Sequence, residues 1–326
     1  MIQINTNDNK SETRILLNPG SGRVRKKIGQ IKKIISSIPD IVTHEASSLS
    51  EINITIDHFI NSQIKFLIII GGDGTVQAVI NRYLTLKNKT DLPHILIIPG
   101  GTTNMTAKDI GIHGSPVKIV KRLKSLMLGK HETTTKIRPA LIISQNNKPD
   151  LHGMFFGAGL ISNGSQYFQN HIRKSDITGE LASFIVVLNF IFKMLLGQTS
   201  EYLKSVEVQL KKDEEDSQKM TSLLLFATTL DRLLFGLKPY WGQEKKPVHF
   251  TNIRKNSNKF LRSLFAIICR RGTFLHESDG YISNNSQNIE IHMNGNFIID
   301  GEIFTADCQN GPLRISATQP INFVVL

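Results

Sequence analysis

Residues 71–75 read Gly-Gly-Asp-Gly-Thr and follow directly on the apolar run 64–70, Ile-Lys-Phe-Leu-Ile-Ile-Ile. A buried strand entering a glycine turn that opens a helix aims backbone N–H groups at an anion. Glycine lets the backbone bend tightly and come close to a ligand. Asp73 is the odd member. A carboxylate inside a phosphate cradle repels phosphate unless it serves a cation or accepts a proton from an attacking hydroxyl. The turn therefore points to phosphate chemistry as well as phosphate binding.

Two further loops of this kind follow short apolar strands. Residues 14–18, Arg-Ile-Leu-Leu-Asn, lead into Pro19-Gly20-Ser21-Gly22-Arg23. Residues 94–98, His-Ile-Leu-Ile-Ile, lead into Pro99-Gly100-Gly101-Thr102-Thr103-Asn104. Asn18, Ser21, Gly22 and Arg23 offer an amide, a hydroxyl, free backbone and a guanidinium. Thr102, Thr103 and Asn104 offer hydroxyls and an amide at a helix start. Each set alone reads as an ordinary cap. Three sets around residues 71–75 read as a nucleotide phosphate site.

The elements that must position these loops alternate strand and helix. After the glycine turn, Val76, Val79, Ile80, Tyr83 and Leu84 fall on one helical face over 75–86. This alternation predicts an open parallel α/β sheet, whose ligand edge is the carboxyl end of its strands. A helix carrying Lys118, Lys121, Arg122 and Lys124 closes that domain near residue 130, with the C-terminal tail a candidate to complete it. Residues 131–326 change character. Val206, Val208 and Leu210 alternate, as do Ile289, Ile291 and Met293. Asn294-Gly295 has the composition of a two-residue hairpin turn, with 296–300 returning. Lys211–Gln218 reads as an exposed hairpin tip. The second domain is predicted as a mainly antiparallel β-sandwich, with a helix over 181–196 set into it. That apolar stretch is shorter than a membrane span and carries Asn189 and Lys193.

Bulk composition fits two globular domains: 326 residues, 40% hydrophobic and 20% charged. Lys+Arg number 39 against 27 Asp+Glu, a formal charge of +12, which favours anionic partners. Solvated lysine faces are the plain alternative. Cys269 and Cys308 make no disulfide framework, and residues 1–12 carry no secretory pattern. A cytoplasmic location follows as the expectation. Nucleotide P-loop, Gly-x-Gly-x-x-Gly and Gly-x-Ser-x-Gly motifs are absent. Nucleic-acid binding through Trp241 would rest on charge alone and is not expected.

The trio of loops, followed far downstream by Asp300-Gly301-Glu302, resembles the diacylglycerol kinase catalytic family, which includes soluble bacterial lipid kinases and sphingosine kinases. Gly-Gly-Asp-Gly-Thr alone is shared with NAD kinases. The resemblance implies an ATP- and magnesium-dependent lipid kinase acting in the cleft between its domains. ATP contacts would come from Asn18, Pro19, Gly20, Ser21, Gly22, Arg23 and, more loosely, Thr43. They would continue through Gly71, Gly72, Asp73, Gly74, Thr75, Val76, Gln77 and Ala78, then Gly101, Thr102, Thr103 and Asn104. Glu302 would be the proton acceptor, with Asp300 beside it and Asp73 assisting. Asp279 looks like the family's magnesium aspartate, with the carbonyls of His276 and Tyr281 as co-ligands. Expected partners are a lipid substrate and, peripherally, an anionic membrane touched by Lys245-Lys246, Arg254–Arg262 and Arg270-Arg271; a homodimer is left open.

The chain also departs from that family. Gln77-Ala78 stand where many members have Asn-Glu, and Met105 stands where many have Asp. Asp109 is the nearest acid able to substitute. The rivals are a kinase of a sphingoid base or of NAD on the same scaffold, and a weakened nucleotide- or membrane-binding relative.

Overall fold

The computed structural model describes residues 12–86, 92–130, 132–164, 205–257, 260, 263, 267 and 274–326. The expected helix over 181–196 lies outside them, as do Cys269, Arg262, Arg270 and Arg271. The chain divides into two compact units, Met1–Pro139 with Gln319–Leu326, and Ala140–Thr318.

The first unit runs β1 (Thr13–Leu17), α1 (Gly22–Arg25), α2 (Ile28–Ile35), β2 (Val42–Glu45), α3 (Leu49–Asn61), β3 (Phe66–Gly71) and α4 (Asp73–Leu86). It continues through β4 (His94–Pro99), α5 (Met105–Asp109), α6 (Pro116–Met127) and β5 (Thr134–Arg138). The sheet order is β2-β1-β3-β4, then the last strand of the chain (Ile321–Val325), then β5. All neighbours are parallel except the last strand with β5. Leu67 to Ile70 are fully buried, as a central parallel strand covered on both faces must be. Thr43 shares a cavity wall with Ile35 of α2, whereas its neighbour His44 packs its ring edge against Phe59 of α3. Successive strand residues point to opposite faces, so α2 and α3 cover opposite sides of the sheet. α6 packs against α2, and α4 against α3. A capping box at Ser48 and Glu51 starts α3.

The boundary lies after Pro139 rather than near 130. The cause is pairing: Thr134–Arg138 hydrogen-bonds along Ile321–Val325 and so belongs to the first sheet.

The second unit holds β6 (Leu141–Ser144), β7 (Leu151–Gly153), β8 (Phe155–Gly159), β9 (Val206–Lys212), β10 (Gln218–Thr228) and β11 (Val248–Arg254). Then come β12 (Tyr281–Ser286), β13 (Ile289–Met293), β14 (Gly295–Ile299), β15 (Glu302–Ala306) and β16 (Leu313–Ala317). They form one eleven-stranded sheet, with every pairing antiparallel. One core, from Leu141 and Phe156 through Leu225 and Phe250 to Ile291 and Ile315, draws on strands from across this sheet. The β9–β10 hairpin closes at residues 213–217, within the expected charged tip.

The expected hairpin at Asn294-Gly295 does not form. β13 pairs with β9 and β16, while β14 pairs with β8 and β15. Asn294 instead accepts the Cys308 N–H through Oδ1 at 2.8 Å. The true two-residue turn is Asp300-Gly301, both at positive φ (48° and 95°), between β14 and β15. Positive φ at both positions is the type I′ geometry that suits the twist of a hairpin.

Arg138 of β5 donates from Nε to Asp109 of α5 at 2.8 Å, with the aspartate side chain fully buried. Asp109 is thus committed to holding α5 and is not a spare acid. Removing one partner of a buried pair strands the other charge. We expect Asp109→Ala to cost about 3 kcal/mol, read as a lower urea midpoint at unchanged m-value; a loss below about 0.5 kcal/mol would mean that water already solvates the pair.

Candidate functional site

The three loops of the first unit are tied directly to one another. The Asn18 N–H donates to the Ile70 carbonyl at 2.9 Å, and its Nδ2 donates to Thr75 Oγ1 at 2.9 Å. Its Oδ1 accepts the Gly20 N–H at 2.9 Å, so one side chain shapes its own loop and anchors the start of α4. Ser21 Oγ accepts the Gly72 N–H at 3.2 Å. The Arg23 N–H donates to the Gly100 carbonyl at 2.8 Å, and the Gly100 N–H to the Gly71 carbonyl at 2.6 Å. Asn104, held left-handed at φ 49°, exchanges two 2.8 Å bonds with the backbone of Gly101.

The glycines divide into two kinds. A Cβ on Gly101 would stand 2.6 Å from Gly72 Cα, and one on Gly72 would stand 3.0 Å from Gly101 Cα. A Cβ on Gly100 would run into Val24. These glycines exist so that two loops can touch. Gly22 and Gly74, by contrast, have nothing within 4 Å of where a Cβ would be. Gly74 lies in the first turn of a 14-residue helix, whose leading N–H groups lack intrahelical acceptors. Open space beside such donors, with Arg23 in the adjoining loop, suits a polyphosphate.

Asp73 has partners that sequence reasoning did not foresee. Its Oδ2 accepts Thr103 Oγ1–H at 2.7 Å. Its carboxylate also accepts backbone N–H groups of Met105, Thr106 and Asn104, the start of α5. Burial pushes the Asp73 carboxyl up from its ordinary range, and these hydrogen bonds pull it back only in part. Asp73 therefore acts as a cap joining the second loop to the third. Val76 and Ala78 are buried in the core, so only backbone could meet a ligand there. Thr102 is half-buried in the third loop. Thr43 is further off, on β2, where its buried hydroxyl has no hydrogen-bond partner and faces a cavity of about 270 Å³ behind α2.

In the second unit, Asp300 and Glu302 flank one turn but differ in role. The two Asp300 oxygens accept the N–H groups of Met154 and Phe155, each at 2.9 Å. Gly153 lies so close beneath that a Cβ there would sit 2.7 Å from Asp300 Oδ2. Asp300 is thus a clamp on the β7–β8 connection. Glu302 is exposed at the first position of β15, and its carboxylate has no partner among the described residues. Asp279 sits on an exposed 3₁₀ turn before Gly280 at φ 90°. The His276 carbonyl there already accepts the N–H groups of Asp279 and Tyr281, at 3.1 and 3.2 Å. A carbonyl has two lone pairs, so the turn's own backbone already engages the His276 oxygen. Among the described residues no cluster of three His, Cys, Asp or Glu could hold a metal. A separate cavity of about 1000 Å³ opens beside Gly159, Val206, Met220 and Met293, with His292 and Asn296 among its polar walls. No helix among the described residues is long and apolar enough to cross a membrane.

Sequence reasoning missed Val24 and Gly153. Their partners are distant in the chain, and neither carries a local signal.

Residues 12–137 match the model of the diacylglycerol kinase catalytic domain. Over 216 residues the chain is 28% identical to a Staphylococcus aureus (strain bovine RF122 / ET3-1) protein named "Putative lipid kinase", covering 64% of this chain and 62% of that protein. The match thus spans under two thirds of that relative's length. A crystal structure described as "a putative diacylglycerol kinase from Bacillus anthracis str. Sterne" is similar at TM-score 0.64 and 15% identity, over 95% of this chain and 96% of that one. Yeast NADH kinase complexed with NADH is similar at TM-score 0.51 and 11% identity, over 96% and 83%. At such identities the two structures carry the fold alone: an α/β unit with a parallel-dominated sheet, and an antiparallel β unit.

The contact between loops makes a sharp prediction. Gly101→Ala should lose about 1–3 kcal/mol because backbone must move. Gly74→Ala should stay within about 1 kcal/mol of the parent. Thermal unfolding of both reads the difference, and equal stability would refute the division of the glycines.

Proposed function

We propose that this chain, whose residues 12–137 match the diacylglycerol kinase catalytic domain, is an ATP-dependent lipid kinase. It transfers the γ-phosphate of ATP to the hydroxyl of a lipid such as diacylglycerol, giving a phosphatidic-acid-type product. The observation that carries this reading is the tied trio of loops with open glycine positions at the start of α4.

Phosphoryl transfer asks little covalent chemistry of a protein. It asks for donors along the phosphates and a base on the attacking hydroxyl. Backbone N–H groups of the loops 18–23 and 71–75, with the Thr102 hydroxyl and the Arg23 guanidinium, are the assigned phosphate donors. Thr43 is the residue assigned to the remainder of the nucleotide. Glu302 is the assigned proton acceptor, because it is the acid of the Asp300-Gly301-Glu302 turn that has no partner among the described residues. Asp300 and Asp73 are assigned positioning roles, since each carboxylate already holds backbone. Magnesium enters as part of the nucleotide substrate, where it offsets phosphate charge. The acyl chains are assigned to the second unit, whose cavity of about 1000 Å³ is in the size range of lipid-sized ligands.

The test is transfer of labelled phosphate from ATP to a panel of lipids in mixed micelles, with NAD as a further acceptor. Glu302→Gln should fold normally and lose about 10²–10⁴-fold in kcat. Asp300→Asn should instead lose stability, because its amide cannot accept two N–H groups as a carboxylate does. Full activity in Glu302→Gln would remove it as the base. Phosphorylation of NAD with none of any lipid would move the chain to the NAD kinase branch, and silence towards every acceptor would favour a weakened relative.

A further inference from the structure

The first unit is electrically two-sided. α1, α2, their connection and α6 form one helical layer, with α2 in contact with both α1 and α6. Segments 22–35 and 116–127 hold ten Lys and Arg and no Asp or Glu. The opposite layer, α3 with α4, holds Glu51, Asp57 and Asp73 against one arginine. That arginine, Arg82, is itself tied to Asp57 by two 2.7 Å bonds.

Within the basic layer Lys32 is paired with Glu45 at 2.7 Å. Arg25, Lys26, Lys27, Lys33, Lys118 and Lys121 are exposed and have no ion-pair partner among the described residues. Six unneutralised cations on packed helices cost the fold through mutual repulsion, and nothing in the first unit's core or loops requires them. The apolar faces of α2 and α6 are spent on the sheet: Ile31, Ile35, Ile119, Leu123 and Leu126 are buried. Leu128 is the one large apolar side chain left exposed on this layer among the described residues. The layer is therefore built to attract a polyanion by charge rather than to insert.

We infer that the α1–α2–α6 layer docks the protein on an anionic lipid bilayer. The choice of a bilayer over another polyanion rests on the lipid kinase reading, since such a substrate resides there. It also fits the absence of Phe, Tyr and Trp from 22–35 and 116–130, which leaves no ring on which nucleic-acid bases could stack. Each lysine near an anionic surface adds on the order of 1 kcal/mol, screened over about 10 Å at 0.1 M salt. Binding should therefore need anionic lipid and fail at high salt. In the second unit's Lys245-Lys246, by contrast, Lys246 is already paired with Asp213 at 2.8 Å.

The experiment uses the full chain without nucleotide, sedimented with phosphatidylcholine vesicles that contain or lack phosphatidylglycerol. Lys33→Glu/Lys118→Glu/Lys121→Glu is compared with Lys211→Glu/Lys245→Glu/Lys255→Glu, a second set of exposed lysines carrying the same charge change. Wild type should bind only the anionic vesicles and release them at about 0.5 M salt. The first triple variant should bind on the order of a hundredfold more weakly, and the second within about threefold of wild type. Both should melt as wild type does. Equal losses in the two variants, or equal binding to vesicles of either composition, would overturn the assignment. So would displacement by duplex DNA at concentrations where the vesicles still bind wild type. Transfer to lipid in neutral micelles separates the two readings. The first triple variant should keep it, whereas a wild type that binds vesicles through this layer yet phosphorylates no lipid would sink the kinase reading and leave the surface standing.

Discussion

The first unit depends on one close approach, the passage of Gly72 against Gly101. Only hydrogen fits between their α-carbons, since a Cβ on either would meet the other's backbone at 2.6–3.0 Å. The Gly100-to-Gly71 and Arg23-to-Gly100 hydrogen bonds then follow, because the three loops can reach one another only at that spacing. Three weak local signals become one rigid object through this contact. The buried parallel strands β1, β3 and β4 supply the register that brings the loops level: Leu17 sits opposite Ile70, and Ile70 opposite Ile98.

Carboxylates illustrate how far residue type alone can carry an assignment. Asp73, Asp300 and Glu302 all look chemical in the sequence. Two of them are hydrogen-bond hubs: Asp73 gathers the start of α5, and Asp300 clamps Met154 and Phe155. A carboxylate offers about four acceptor sites and no donor. It is thus well suited to collect stray backbone N–H groups at a turn, and the fold uses it so. Glu302 is set apart by its lack of partners among the described residues together with its exposure.

What could be read from the sequence follows from how local the deciding interaction is. Continuous apolar runs such as 66–71 announce buried strands, and Val76, Val79, Ile80 and Tyr83 announce the buried face of α4. Each is a property of a short window. Asn294-Gly295 has the composition of a hairpin turn, yet β13 and β14 take other neighbours. Strand choice is settled by partners far along the chain, which no dipeptide encodes. The same holds for β5, which joins the first unit only because the last strand returns to pair with it. At the site, the loops were legible because glycine and hydroxyl residues cluster after strands. The division of glycines into contact-making and open ones was not, since it depends on what stands opposite each.

The departures at 77, 78 and 105 acquire a physical meaning once these partners are known. Ala78 is buried, so a carboxylate there would have to be desolvated. Met105 begins α5 at the point where Asp73 receives backbone N–H groups. An aspartate at 105 would set a second carboxyl group against the same helix end. One carboxylate there is satisfied by the helix start, and two would compete for it. With Asp73 spent on backbone and Asp109 on Arg138, neither acid is left over to hold a cation at the loops. The loops of this chain therefore present donors and no spare carboxylate, so that on the lipid kinase reading proposed above a cation offsetting the phosphate charge would arrive with the nucleotide.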